Sequence, residues 1–440
     1  MTYEQALHYL DSFQRFGIRL GLERITYLLQ ALGNPHLQFP SILIGGTNGK
    51  GSTAAFLSSI LRAGGYKVGL YTSPHLIDFR ERIQINGHPI PEDKAVELLN
   101  EMRSIIDQRQ GQTSAISPQS SVLSPQPSAT GHQTLDIRPQ TSDIDHPTYF
   151  EGATAIAFTY FSREGVDLAV VEVGLGGRFD ATNVLYPLAS AITNVSLEHQ
   201  DYLGGALPKI AFEKAGIIRE KGSLVTAVED PAAWEVVARV ASELGAQVYK
   251  AGRDFAWKRE SFGLDGQTFN FFGELGEHHD LKIRLLGEHQ VANAAVAVAL
   301  SEVLRRQGVK LDSETISSGL SRAEWPGRLQ VLRHRPLVLL DGAHNPAGAK
   351  CLRAFLEEIL GGCRLLLVFG VLGDKDWKGM LAELGPLAYQ VVLTRPDTPR
   401  AVEPEKLYLI AQRHCPRVVI QERVPEALAY ALSQATPEDV

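Results

Sequence analysis

The chain has 440 residues, of which 44% are hydrophobic and 21% charged, and its formal net charge is -7. This size and apolar content fit a soluble protein of about three domains with a sizeable core, and the acidic balance argues against a broad electrostatic nucleic-acid face. Three cysteines, Cys351, Cys363 and Cys415, form no CxxC pair, which argues against a disulfide framework and for a reducing compartment.

In chain order, the N-terminus, Met1-Thr-Tyr-Glu-Gln, lacks the basic-then-apolar layout of a secretory signal. No apolar run reaches the ~18 residues of a membrane span, so a cytoplasmic protein is expected. Residues 3–32 carry apolar side chains at helical spacing (Ile25, Leu28, Leu29, Leu32) and stop at Gly33-Asn34-Pro35. From residue 41 a rhythm of short apolar strand, turn and helix sets in, with strands predicted at 41–44, 67–71, 167–173, 189–195 and 223–227. This alternation reads as βαβ units around a mainly parallel sheet.

Residues 108–147 break the rhythm. More than half are Ser, Gln, Pro or Thr and none is lysine, so the segment cannot bury enough surface to offset its ordering entropy and reads as a disordered insertion. A second break near residues 321–328 precedes strands predicted at 337–340, 365–369, 390–393 and 417–420. The expected fold is α/β in two domains. Residues 1–322 form a P-loop-containing, mainly parallel sheet domain, and 323–440 a smaller Rossmann-like α/β domain.

Ser41-Ile-Leu-Ile-Gly-Gly-Thr-Asn-Gly-Lys-Gly-Ser-Thr53 is the strongest local signal. A strand feeds a glycine-rich loop, then a lysine, then hydroxyls that open a helix over 54–63. Glycines let backbone N–H groups close on phosphate oxygens, the helix N-terminus adds partial positive charge, and the lysine reaches the terminal phosphates. Thr47, Asn48, Gly49, Lys50, Gly51 and Ser52 are therefore the predicted nucleotide contacts. The common G-x-x-x-x-G-K-[ST] spacing is not strictly met, because Gly51 separates Lys50 from Ser52.

Transfer of a γ-phosphoryl group calls for Mg²⁺ on hydroxyl and carboxylate oxygens. Glu172 sits at the C-terminal end of an apolar strand, where ligands collect in open α/β sheets, and Ser73 lies just past strand 67–71. Lys214 stands in Ile210-Ala-Phe-Glu-Lys-Ala-Gly-Ile, on a helix ending at Gly216, and in such company a lysine ordinarily snorkels to solvent. Gln290 and Asn293 precede an Ala/Val-rich stretch as N-cap candidates. Arg328, after Trp-Pro-Gly, offers a guanidinium suited to bidentate phosphate contact. No convincing Ser-His-Asp or Cys-His arrangement provides a protein nucleophile.

Seven runs occur in order: Gly46-Thr-Asn-Gly-Lys-Gly-Ser52, Leu70-Tyr-Thr-Ser-Pro-His75, Val171-Glu-Val-Gly-Leu-Gly-Gly-Arg178, Asp180-Ala-Thr-Asn183, Glu213-Lys-Ala-Gly-Ile-Ile218, Trp325-Pro-Gly-Arg328 and Asp341-Gly-Ala-His-Asn-Pro346. Together they resemble the folylpolyglutamate synthases and their bifunctional dihydrofolate synthase forms, in the Mur-ligase superfamily. The likeness covers the chain from residue 3 to beyond 400, interrupted by 108–147.

The resemblance implies ATP-dependent ligation. ATP would phosphorylate a carboxylate, of dihydropteroate or of a folate's terminal glutamate, and the amine of L-glutamate would attack the acyl phosphate. It also implies Mg²⁺ at two sites, with Ser73, Glu172 and His199 as ligands of one. The other would be held by Lys214 carbamylated to N6-carboxylysine, and a monovalent cation accompanies them. By the same resemblance Asn293 contacts the nucleotide base, Arg328, Asp341 and His344 approach the nucleotide, and Lys50, Lys214 and His344 are catalytic. Gly21, Leu22, Glu23 and Arg24, then Thr148, Tyr149 and Phe150, then Phe179, Asp180 and Ala181 stand where bifunctional members contact dihydropteroate. A monomer acting on small molecules, with neither nucleic acid nor membrane as partner, is the implied organisation.

Two departures are visible. The family's usual Asp-His pair reads Glu198-His199, and the chain stops at Pro437-Glu-Asp-Val440, where members usually continue with another strand, so a shortened second domain is expected. Three other readings stay open. A cell-wall amino-acid ligase would share the phosphate loop but should lack the Thr-Ser-Pro-His and Leu-Gly-Gly-Arg runs. A P-loop switch or motor ATPase needs no second domain bearing Asp-Gly-Ala-His-Asn-Pro. Loss of Lys50, Glu172 or Lys214 would mark a non-catalytic nucleotide-binding module, and all three are present.

Overall fold

A parallel strand covered on both faces must be apolar along its length, and the short runs found in the sequence meet that demand. The computed structural model describes residues 1–115, 146–198 and 203–440. The chain divides into two units, Met1–Leu43 with Lys67–Pro187, and Ile44–Tyr66 with Leu188–Val440. Strand β1 (Ser41–Gly45), buried at all five residues, leaves the first and enters the second.

In the first unit, β2 (Val68–Tyr71), β3 (Ile83–Ile85), β4 (His88–Pro89) and β5 (Leu168–Glu172) lie in the order β4-β3-β2-β5. β2 and β5 run parallel, Val68 opposite Leu168 and Tyr71 opposite Val171, while β3 pairs antiparallel with β2. Helix Tyr149–Arg163 begins in a capping box: Glu151 N donates to Thr148 Oγ1 at 3.3 Å and Thr148 N to Glu151 Oε2 at 2.7 Å. Residues 3–32, expected as one helical stretch, form two helices, Tyr3–Asp11 and Glu23–Ala31. A 3-10 turn, Ser12–Phe16, and Gly17 at φ 62° come between them.

The segment 108–147, expected to be a disordered insertion, falls mostly outside the described residues. Helix Glu92–Ala115 includes its first eight residues, and His146, near its end, stacks on Phe16 with ring centroids 4.9 Å apart. The rest of that segment, 116–145, lies outside the described residues.

In the second unit, β6 (Ala189–Ile192), β7 (Ser223–Thr226) and β8 (Gln247–Lys250) are parallel neighbours. An antiparallel meander follows, β9 (Phe255–Gly263), β10 (Gly266–Gly273) and β11 (His278–Ile283), which the sequence reading missed. Helix Glu288–Arg306 is buried along most of its length by small Ala and Val side chains, and helix Lys50–Ala63 packs on it. Helix Ser313–Arg322 approaches helix Lys50–Ala63 so closely that a Cβ on Gly319 would stand 2.4 Å from Ile60 Cα.

Further on, β12 (Gln330–His334) and β13 (Leu337–Leu340) form an antiparallel hairpin. The run at 337–340 thus pairs first with its sequence neighbour, since two strands two residues apart can only fold back on each other. β14 (Leu366–Phe369), β15 (Gln390–Arg395) and β16 (Val418–Arg423) are parallel, over a core that includes Leu381, Leu393 and Leu407. The last residues are tied in. Leu366 N donates to Val440 O at 2.8 Å, and Arg364 Nε to Asp439 Oδ1 at 3.0 Å. Among the described residues, no helix is long and apolar enough to cross a membrane.

Candidate active site

β1 delivers the chain to Gly46 (φ 135°) and Gly49 (φ 83°). A Cβ on Gly46 would lie 1.9 Å from Thr193 Oγ1, and one on Gly49 would lie 2.2 Å from Asn293 Oδ1. Only glycine fits either place. Gly49 is the N-cap of helix Lys50–Ala63, whose first N–H groups receive no side-chain cap and so remain available to an anion. Ser52 and Thr53, in the first turn, are buried.

The residues after β6 clamp the loop from behind. Thr193 Oγ1 donates to Asn48 O at 2.6 Å, Asn194 Nδ2 donates to the same oxygen at 3.1 Å, and Asn48 N donates to Asn194 Oδ1 at 2.9 Å. Thr47 Oγ1 accepts from Ser196 N at 3.0 Å and donates to Ser196 O at 3.2 Å. Thr193 and Asn194 were not among the expected site residues. Their signal was position, at the C-terminal end of a parallel strand.

Two lysines meet on one acceptor. Lys50 Nζ donates to Gly46 O at 3.1 Å and Thr47 O at 2.8 Å, and Lys214 Nζ donates to Gly46 O at 2.7 Å. Lys214 is only 3% exposed, so it does not snorkel; helix Leu207–Ala215 turns it inward. Helix Glu288–Arg306 starts from Gly287, which makes Gln290 and Asn293 buried members of its first turns, not caps. Asn293 Nδ2 donates to Gln290 Oε1 at 3.0 Å.

Arg328 and the segment 341–345 belong to the same unit. Leu329 N donates to Asp341 Oδ2 at 2.9 Å and Ala343 N to Asp341 Oδ1 at 2.8 Å, so one carboxylate ties β12's approach to the turn after β13. Arg328 Nη1 donates to Gly327 O at 3.1 Å. Burial pushes the neighbouring His289 imidazole below its ordinary pKa; the Asp341 carboxylate opposes this and Arg328 adds to it. His344 Nε2 stands 3.3 Å from Glu198 Oε1. Asn345, to which the sequence reading gave no role, caps helix Pro346–Ile359 and exchanges amide hydrogen bonds with Asn48. His199 lies outside the described residues.

In the first unit, Glu172 ends β5 almost wholly buried, and Ser73 N donates to its Oε2 at 3.1 Å. A buried carboxylate beside a serine at strand ends is an oxygen donor set of the kind a hard divalent cation takes, so these residues fit Mg²⁺. Among the described residues, no three His, Cys, Asp or Glu side chains gather as a metal-ligand group.

The three stretches expected around a pterin come together in this unit. Arg24 Nε donates to both Glu151 oxygens at 3.1 Å, which joins residues 21–24 to Thr148-Tyr149-Phe150. Leu22 is the N-cap residue of helix Glu23–Ala31, and a Cβ on Gly21 (φ 129°) would meet Glu23 Oε2 at 2.5 Å. The Arg82 guanidinium stands 5.3 Å from the centre of the Tyr149 ring, and the Phe150 ring lies where a Cβ on Gly174 would sit. Phe179 is partly exposed beneath the Arg178 guanidinium, 4.3 Å from its ring centre. Asp180 caps the turn Ala181–Val184, accepting from Thr182 N at 3.0 Å, Thr182 Oγ1 at 2.6 Å and Leu175 N at 2.8 Å. Burial raises its pKa, and these hydrogen bonds oppose the rise.

Known proteins resemble this chain over nearly its whole length. The model of the Mur ligase middle domain matches residues 110–301, and that of the Mur ligase glutamate ligase domain matches 327–440. The chain is 35% identical over 409 residues to a dihydrofolate synthase/folylpolyglutamate synthase of Bacillus subtilis, covering 92% of this chain and 88% of that one. It is 37% identical over 448 residues to a probable bifunctional folylpolyglutamate synthase/dihydropteroate synthase of Halobacterium salinarum, of which it spans 50%.

Among solved structures, Mycobacterium tuberculosis folylpolyglutamate synthase complexed with ADP superposes with a TM-score of 0.84 at 35% identity, over 98% of this chain and 90% of that one. Escherichia coli FolC in complex with DHPP and ADP gives 0.82 at 29% identity, over 99% and 93%. Relatives carrying folate-ligase names over nearly the whole chain do not favour the cell-wall ligase reading. The chain belongs to the dihydrofolate synthase/folylpolyglutamate synthase family of Mur ligases.

Proposed function

We propose that this protein uses ATP to activate the carboxylate of a folate, or of dihydropteroate, and joins L-glutamate to it through an amide bond, with an acyl phosphate between the two steps. The observation that carries this reading is the loop 46–52: two left-handed glycines, an uncapped helix N-terminus and two ammonium groups resting on one carbonyl. The substrate carboxylate is itself the phosphoryl acceptor, so the protein needs no nucleophile of its own. Its contribution is positioning and charge neutralisation.

Lys50 is placed to swing from the Gly46 and Thr47 carbonyls to the terminal phosphate. Arg328, Asp341 and His344 serve the nucleotide from the C-terminal part of the chain, and Asn293 meets its base. Ser73, Glu172 and His199 would hold Mg²⁺, which when bound neutralises phosphate oxygens. Carbamylation of Lys214 would turn the second cation into an anion able to hold a second divalent ion, with a monovalent cation nearby. On this reading residues 1–322 are the ATP-binding domain and 323–440 the ligase domain of a cytoplasmic monomer.

Use of dihydropteroate as well as folate is supported by the Arg24–Glu151 pair, which joins residues 21–24 to the helix that Thr148 caps, and by the packing of both helices on the turn Ala181–Val184. The test is a ligation assay with ATP, Mg²⁺ and L-glutamate, offering dihydropteroate or a tetrahydrofolate as acceptor. Glutamate incorporation matched by ADP release is expected with both, and turnover of neither would overturn the reading. Lys50→Ala should abolish ligation while leaving the circular dichroism spectrum unchanged.

A further inference from the structure

We propose that Asn345 is a positioning residue. Through its amide it locks the phosphate loop to the segment carrying Asp341 and His344, so that these groups meet the nucleotide in one fixed register. The inference rests on reading residues 46–52 as the nucleotide loop.

Asn48 is already fixed through its backbone, its N–H on Asn194 Oδ1 and its carbonyl under Thr193 Oγ1 and Asn194 Nδ2. Its side-chain amide is what reaches the later segment. Asn345 Nδ2 donates to Asn48 Oδ1 at 3.0 Å, and Asn48 Nδ2 donates back to Asn345 Oδ1 at 3.3 Å. The same Asn345 Nδ2 reaches Glu198 Oε1 at 3.4 Å, and His344 Nε2 lies 3.3 Å from that oxygen. Asn345 is 6% exposed, so little water competes for these bonds.

The residue type discriminates latch from cap. Asn345 Oδ1 also accepts from Gly348 N at 2.8 Å, closing the N-terminus of helix Pro346–Ile359. Asp or Ser would cap that helix as well as Asn. Only a primary amide can accept from Gly348 and Asn48 and at the same time donate to Asn48 and Glu198. The amide therefore does something that capping does not require.

Asn345→Ser separates the two roles, because it keeps the cap, removes the amide donor and adds no charge beside Glu198. The expected result is a melting temperature within about 4 °C of wild type, ADP affinity by calorimetry within about twofold of wild type, and a tenfold or greater fall in kcat for glutamate ligation at saturating ATP. Adding Asn345→Ser to Asn48→Ala should lower kcat by less than twofold further. Unchanged kcat in Asn345→Ser, multiplicative losses in the double variant, or an ADP affinity that falls as far as kcat would each overturn the latch. Failure of the wild-type protein to bind ADP would instead remove the nucleotide-loop reading beneath it.

Discussion

The Arg24–Glu151 pair allows a sharp test of whether a residue expected at the pterin holds the fold as well. Both side chains are under one-tenth exposed, the guanidinium meets both carboxylate oxygens at 3.1 Å, and Arg24 Nη2 also donates to Arg19 O at 2.9 Å. Arg24→Ala strands a buried carboxylate, and losing one partner of a buried pair costs about 3–5 kcal/mol. Glu151→Gln keeps the capping chemistry of its helix position, since glutamine serves there too, and retains an acceptor for Arg24. It should cost about 1–3 kcal/mol. Arg24→Met with Glu151→Gln leaves neither charge buried alone, so its cost should fall short of the sum of the single Arg24→Met and Glu151→Gln variants by about 1–3 kcal/mol. Urea unfolding followed by circular dichroism measures all four variants, and the KM for dihydropteroate is read on the same preparations. If Arg24→Ala unfolds like wild type while that KM rises tenfold, the pair is no structural staple and this reasoning fails.

Gly49→Ala should weaken ADP binding at least tenfold by calorimetry. The left-handed backbone costs an L-residue about 1–2 kcal/mol, and the new Cβ, 2.2 Å from Asn293 Oδ1, must push that amide off Gln290. Wild-type affinity would contradict the assignment. Acid stability should depend on Asp439, because the Arg364 guanidinium holds its carboxyl well below the usual carboxylate range. A depressed carboxyl stabilises the fold fully above its unfolded pKa of about 4 and loses that contribution as pH falls through the lower folded value. Asp439→Asn should therefore lower the melting temperature at pH 7 and flatten its decline below about pH 4; an unchanged slope would refute this.

What was legible in the sequence was what local backbone chemistry dictates. The strand, loop and helix around Lys50 announce themselves because left-handed turns require glycine and the following helix starts at once. What was illegible depended on the surroundings. Nothing within residues 207–215 says which side of their helix will be covered, so Lys214 read as a snorkelling lysine, yet it lies buried against Gly46. The clamp from Thr193 and Asn194 exists only once β6 has taken its place in the sheet. The meander at 255–283 did carry a signal, buried Phe269 and Phe271 on either side of Asn270. Its outer strand is largely exposed, and exposed positions leave no apolar period to follow.

The net charge of -7 gave least warning of all, since the proposed substrates are anions. Overall charge governs long-range attraction, whereas affinity at a phosphate loop depends on where a few cations are held. Here Lys50 and Lys214 both donate to the Gly46 carbonyl, so two basic side chains converge on one point of the loop. Burial fixes the second of them: at 3% exposure Lys214 cannot move off into solvent as a surface lysine would, so the loop has one side chain, Lys50, free to follow a phosphate and one held in place, to which carbamylation would give the opposite charge. An acidic net charge is in this way compatible with anion binding at a single loop.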